Sequence, residues 1–247
     1  MTTKIFPDYE TLSRATADLI KDYINAKKQS LVCLASGHTP VGVFNYLIED
    51  VHSGKLDISR CTFLSLDEWV GIGTTDSGSC FSMLKKDFFD PLAIPNSQIK
   101  FFNVLADDLE KECDRINTLI KNHGGLDIML VGVGTNGHIG MNEPGTPFDS
   151  IAHVGDLSKE TISVGQKYFA KQTSLSKGLT LGLGHLHNSR LPIVMANGEK
   201  KATIMGKAFT QKPTEQIPVT IVQLIEQGFI MLDREAAKEV VGVGSKK

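Results

Sequence analysis

One short stretch of this chain collects groups able to move protons. Residues 131–145 read V-G-V-G-T-N-G-H-I-G-M-N-E-P-G. His138 titrates near neutrality, with a reference pKa of about 6.5. Glu143, five residues on, is a carboxylate that can fix the tautomer of that imidazole and support its charged form. Gly132, Gly134, Gly137 and Gly140 let a backbone approach a ligand closely. A second carboxylate, Asp67, follows an apolar run, where partial desolvation makes it a useful base. Anion chemistry is suggested by S-G-H-T-P, with Ser36, Gly37, His38 and Thr39 on a turn before a helix. Backbone N–H groups and hydroxyls at such a turn, helped by the helix dipole, bind anions. Lys201, at the start of another helix, adds a positive charge. No G-x-x-x-x-G-K-[ST] loop is present, so a nucleoside triphosphate is not indicated. The inventory fits a phosphorylated metabolite undergoing proton transfer.

These groups need strands to deliver them. Apolar runs at 31–35, 62–66, 126–133 and 191–196 each end at one of the four clusters. They alternate with amphipathic helices, which predicts a mainly parallel sheet covered on both faces. In such a sheet the carboxyl ends of the strands share an edge, and ligands bind there. Helices are expected at 8–27, with Leu12, Ala15, Leu19, Ile20, Tyr23 and Ile24 in one stripe, and from about Pro40, with Thr39 as N-cap. Further helices are expected at 80–89, at 106–121 and from Glu199. A last strand at 229–232 precedes a short final helix capped by Asp233. Residues 146–178 show no clear period. With no repeat, low-complexity tract or linker, one domain over residues 1–247 is expected.

The bulk numbers narrow the class. In 247 residues, 41% are hydrophobic and 22% charged, and the net charge is −2. This balance exerts no general pull on nucleic acid or anionic membrane. Cys33, Cys61, Cys80 and Cys113 are widely spaced, which suggests neither a disulfide framework nor a zinc site. His185 and His187 have an H-x-H spacing but no acidic or cysteine companions. No basic-then-apolar leader opens the chain, and no apolar stretch approaches the ~20 residues of a membrane span. A cytoplasmic location is expected.

L-A-S-G-H-T-P, F-L-S-L-D-E-W-V, V-G-T-N-G-H-I-G-M-N-E-P-G and N-G-E-K-K-A resemble, in order, the motifs of the glucosamine-6-phosphate deaminase/isomerase family. The likeness runs from about residue 8 to 235. D-E-W-V, and G-G-L-D followed by N-G-H, look most like its galactosamine-6-phosphate branch. The resemblance implies a modified Rossmann-like α/β fold and a small phosphosugar substrate. It implies no metal or organic cofactor, and it is compatible with a homo-oligomer. The implied reaction turns a 2-amino-2-deoxyhexose 6-phosphate and water into a ketohexose 6-phosphate and ammonia.

Carried over by motif, Asp67 shuttles the proton between C2 and C1. His138 assists ring opening, and Glu143 orients and charges it. Ser36, Gly37, His38 and Thr39 form the phosphate loop, with Lys201 as its cation. Asn136 stands where many members of the family have aspartate; it can hydrogen-bond in the site but cannot take a proton. Lys167, in Q-K-Y-F, aligns with an arginine that some relatives use on the phosphate, and offers a point charge in place of a fork. The rival 6-phosphogluconolactonase typically shows G-H-T-A-S in its site, unlike the N-E-P-G here. A sugar-phosphate sensor would be expected to carry a helix-turn-helix, for which the seven residues before the first helix leave no room.

Overall fold

The computed structural model describes residues 1–240. Seven strands form a parallel sheet: β1 (Thr2–Phe6), β2 (Leu31–Leu34), β3 (Thr62–Ser65), β5 (Ile99–Lys100), β6 (Ile128–Gly132), β9 (Leu191–Ala196) and β10 (Phe229–Asp233). Their order is β1-β10-β9-β6-β2-β3-β5. β4 (Asp67–Trp69), β7 (His153–Asp156) and β8 (Lys177–Thr180) form a second, antiparallel sheet in the order β4-β8-β7. The helices are α1 (Tyr9–Ala26), α2 (Val41–His52), α3 (Cys80–Leu84), α4 (Leu109–Asn122), α5 (Lys159–Gly165), α6 (Leu183–Asn188) and α7 (Ala202–Thr210).

The central strands are apolar throughout because both of their faces are covered. On β2, Leu31 and Cys33 enter one core cluster while Val32 and Leu34 enter the other. On β6, Met129 and Val131 alternate in the same way with Ile128 and Leu130. α4, α6 and α7 pack on the first face through Ile116, Leu186 and Met205. α1 and α2 pack on the other through Leu12, Ile20, Phe44 and Leu47. This is the α/β, mainly parallel architecture expected, with helices on both faces. No helix among the described residues is long and apolar enough to cross a membrane.

Several local expectations differ from the structure. Thr39 does not cap α2: Pro40 occupies that position, and the Thr39 hydroxyl donates instead to Asn197 Oδ1 at 3.2 Å. The Gly42 N–H in the first turn of α2 is satisfied by the Tyr9 hydroxyl, at 2.8 Å. The helix expected at 80–89 is α only to Leu84 and widens to a π-helix over Lys85–Phe89. α4 starts at Leu109, where Asp108 accepts from the Lys111 N–H at 3.1 Å. Residues 234–239 form turns and not a final helix. Asp233 Oδ1 does accept the Ala236 N–H at 2.7 Å, but the carboxylate also takes the Gly198 N–H, tying β10 to the end of β9.

Candidate active site

β2 and β6 are neighbours, yet the chain leaves them in opposite directions, toward β3 and β5 on one side and β9 and β10 on the other. That is a topological switch point, and a crevice opens there at the carboxyl ends of the strands. The crevice is a cleft of about 590 Å3. Ser36, Gly37, His38 and Thr39, Asp67, His138, Lys167 and Lys201 all line it. Asn136 and Glu143 lie behind His138 and are not part of the lining.

The turn after β2 forms one wall. Gly37 has a φ of +93°, and the Tyr168 hydroxyl lies 3.3 Å from where a Cβ would stand. Only glycine suits both the left-handed backbone and that close approach. The His38 and Tyr168 rings stack with centroids 5.6 Å apart. Lys201 ends a 3₁₀ turn over Glu199–Lys201 that follows β9. Burial pulls its ammonium below the ordinary lysine range, partly offset by Glu160. A desolvated ammonium in this wall is a strong attractor for an anion.

His138 sits on the loop after β6. Its ring lies on the Gly134 backbone so closely that a Cβ there would come within 2.1 Å of His138 Cε1. The five-residue spacing to Glu143 suggests a direct pair, but Glu143 Oε2 is 4.0 Å from His138 Nδ1. Asn136 stands between them. Its Oδ1 lies 2.7 Å from His138 Nδ1 and accepts the His138 backbone N–H at 3.0 Å. Its Nδ2 donates to Glu143 Oε2 at 3.1 Å. A carboxylate accepts only from the amide nitrogen, so the amide oxygen faces the imidazole. Nδ1 therefore carries the proton and Nε2 the lone pair. Glu143 Oε1 accepts from the Ser158 N–H at 3.2 Å, and the Thr161 hydroxyl lies 3.2 Å from His138 Nδ1. Burial pulls the His138 pKa below its ordinary value; Glu143 and Glu160 oppose this, while Lys201 adds to it. The ring is neutral at pH 7 and presents a basic nitrogen.

Asp67 opens β4 and pairs in register with Thr180 of β8. It is 8% exposed. Burial, with Glu68 beside it, pushes its carboxyl up to about 7, and a hydrogen bond with Cys80 acts the other way. Such a carboxyl is half ionised near neutrality and far more basic than a solvated aspartate. Asp67 and His138 thus supply two proton acceptors to one cleft, with the 36–39 turn and Lys201 in the same lining.

Known proteins share this arrangement of the chain. Residues 9–231 match the family described as glucosamine-6-phosphate isomerases/6-phosphogluconolactonase. The chain belongs to that family. Glucosamine-6-phosphate deaminase of Bacillus pumilus is 34% identical over 232 residues, covering 94% of this chain and 96% of the relative. That of Clostridium perfringens is 33% identical over the same length and shares. A solved monomeric glucosamine-6-phosphate deaminase, described as a missing link of the NagB superfamily, superposes with a TM-score of 0.93 at 33% identity. The match covers 97% of this chain and all of that one. 6-Phosphogluconolactonase of Trypanosoma brucei has a TM-score of 0.74 at 19% identity, a likeness of fold alone.

Several members of the cleft lining went unseen in the sequence. Tyr168, Thr161 and Val164 come from α5 and the 3₁₀ turn after it, Gln166–Tyr168. Trp69, Cys80 and Met83 come from β4 and α3. α5 is seven residues long, too short to show helical periodicity. The available signal was adjacency, since Tyr168 follows Lys167 and Thr161 is the third residue after the N-cap Ser158.

Proposed function

We propose that this chain is a single-domain amino-sugar-6-phosphate deaminase/isomerase. It converts galactosamine 6-phosphate or glucosamine 6-phosphate, with water, to a ketohexose 6-phosphate and ammonia. The observation that carries this reading is the convergence in one cleft of Asp67 and His138 with the 36–39 turn, Lys201 and Lys167. The turn and the two lysines take the phosphate. His138 Nε2 takes the proton of the anomeric hydroxyl and returns it to the ring oxygen as the C1–O5 bond breaks. The open aldehyde makes the C2 proton acidic. Asp67 removes that proton while O1 takes one from solvent water, forming the 1,2-enolamine; Asp67 then delivers its proton to C1, which leaves an iminium at C2. Water adds to C2 and ammonia departs. Positioned acid/base groups of this kind typically contribute ~10² to 10⁴-fold each.

Asn136 and Glu143 serve the ring-opening step through His138. The amide holds the imidazole in the tautomer whose Nε2 is free, and Glu143 holds the amide. Of the two C4 epimers, the D-E-W-V and N-G-H forms of the motifs favour galactosamine 6-phosphate. Ammonia release from each epimer, with hydrolysis of 6-phosphogluconolactone in parallel, tests the reading. Release from galactosamine 6-phosphate at the higher kcat/KM is expected. Lactone hydrolysis without ammonia release overturns the assignment and moves the chain to the lactonase branch.

A further inference from the structure

Asp67 and Glu68 are consecutive on β4, so their side chains leave opposite faces of the strand. Asp67 lines the cleft, and Glu68 is 1% exposed. A buried carboxylate is costly unless it is hydrogen-bonded. Glu68 is fully engaged: Oε1 accepts the N–H groups of Trp69 at 3.0 Å and Cys80 at 2.9 Å, and Oε2 accepts that of Phe81 at 2.8 Å. Cys80 and Phe81 are the first two residues of α3, where Ser79 is the N-cap and accepts the Ser82 N–H at 3.0 Å. Glu68 therefore clamps the first turn of α3 onto β4 as an anion. Cys80, held by the same clamp, lines the cleft, and its thiol acts on the Asp67 carboxyl.

We propose that Glu68 is a positioning residue for the proton-transferring carboxylate: it fixes β4 against α3 and, by keeping the charge itself, directs the proton of the carboxyl pair onto Asp67. The proposal rests on the assignment of Asp67 as the base. The groups acting on Asp67 from each neighbouring element are few. Glu68 shares β4, Cys80 comes from α3, Cys33 from β2, and Tyr168 from the turn after α5. Burial holds both thiols and the phenol in their neutral forms near pH 7, so Glu68 is the charge among them. Burial raises the Glu68 carboxyl above its ordinary value and the three backbone N–H groups oppose that rise, whereas the Cys80 thiol is the one group opposing the rise of Asp67. The three N–H groups on Glu68 therefore set the bias within the pair, favouring the anion there and leaving Asp67 the stronger base.

The test is the infrared carbonyl stretch of protonated carboxyls, followed in difference spectra from about pH 5 to about pH 9. Wild type is expected to show a buried carboxyl titrating near neutrality, and Asp67→Asn to lack it. Glu68→Gln should lower its midpoint by about one pH unit and carry the acid limb of the kcat profile down with it. A neutral-titrating carboxyl that survives in Asp67→Asn places the proton on Glu68 and overturns the proposal. So does a folded Glu68→Gln whose midpoint stays put. Should Glu68→Gln not fold, the comparison of wild type with Asp67→Asn decides. The infrared midpoint needs no turnover, so failure here is distinct from failure of the wild type to release ammonia.

Discussion

Removing the charge of Asp67 should abolish turnover and at the same time stabilise the protein, by an amount set by pH. The carboxyl moves from an ordinary 3.8 to about 7 in the folded chain. At about 1.4 kcal/mol per pH unit, the full displacement is worth about 4 kcal/mol. The sign follows from proton counting. The folded value lies above the unfolded one, so between them the native state binds more protons, and stability falls as pH rises. Below about pH 4 both states are protonated and no penalty exists; above about pH 7 the penalty is complete. Asp67→Asn has no carboxyl to ionise at this site and escapes the loss. Its advantage over wild type should grow by about 1.5 kcal/mol by pH 5 and by about 4 kcal/mol by pH 8. At ~2–4 °C per kcal/mol for a chain of this size, the difference in Tm should widen by roughly 5–10 °C between about pH 5 and pH 8. Thermal or urea unfolding of both proteins at stepped pH reads this directly. Any fixed benefit or cost of the amide, including its altered contact with Cys80, displaces one curve by a constant and leaves the pH dependence untouched. Parallel curves for the two proteins would refute the reasoning, because they would mean that Asp67 ionises alike in the folded and unfolded chains.

Three further substitutions test the remaining walls of the cleft. Asn136→Asp removes the N–H that Glu143 accepts and sets two carboxylates near His138 Nδ1, so the imidazole pKa should rise by about one unit or more; nitrogen-resolved NMR titration checks it, and an unmoved midpoint contradicts the bridging role. Lys201→Ala deletes a charged partner of the phosphate, worth about 1.5–3 kcal/mol, so KM should rise roughly 10- to 150-fold. A fall in kcat at constant KM would instead put Lys201 in the chemistry. Tyr168→Phe keeps the ring stacked on His38 and removes only a neutral hydroxyl, at about 0.5–1.5 kcal/mol. The expected change is a roughly 2- to 10-fold weaker inhibition by inorganic phosphate, and unchanged inhibition would separate Tyr168 from the anion site.

The parts of this molecule that could be read from sequence are those whose burial leaves a pattern. β2, β6 and β9 are covered on both faces, so Val32, Leu130 and Ile193 sit in unbroken apolar runs. The residues that end those runs, from Ser36 to Lys201, follow from the parallel sheet itself. β1 could not be read in this way: it is an edge strand with Thr2, Lys4 and Ile5 exposed, so no alternation marks it. β7 and β8 were hidden for a related reason, being four residues each with exposed positions at Asp156 and Lys177. The place of Asn136 was hidden by geometry. A spacing of five residues specifies how far His138 and Glu143 are apart along the chain, and not which side chain the glycine turns bring between them.

This division has a chemical consequence. Asp67, His138 and the 36–39 turn lie at or near the ends of the well-marked parallel strands. Trp69, Met83, Val164 and Tyr168, in the same lining, come from α3, α5 with the turn after it and the small antiparallel sheet, which are short and leave little periodic trace. His138 and the 36–39 turn are placed by the buried parallel sheet, whose apolar pattern cannot change without loss of the core, and Asp67 follows two residues after β3. Discrimination between C4 epimers needs only one side chain or one ordered water in the lining, where Met83 is only partly buried and Val164 is exposed. Substitutions at Met83 and Val164 should therefore alter the ratio of kcat/KM for the two amino sugars while leaving the infrared midpoint of Asp67 where it is. A displaced midpoint would show that these positions are energetically coupled to Asp67.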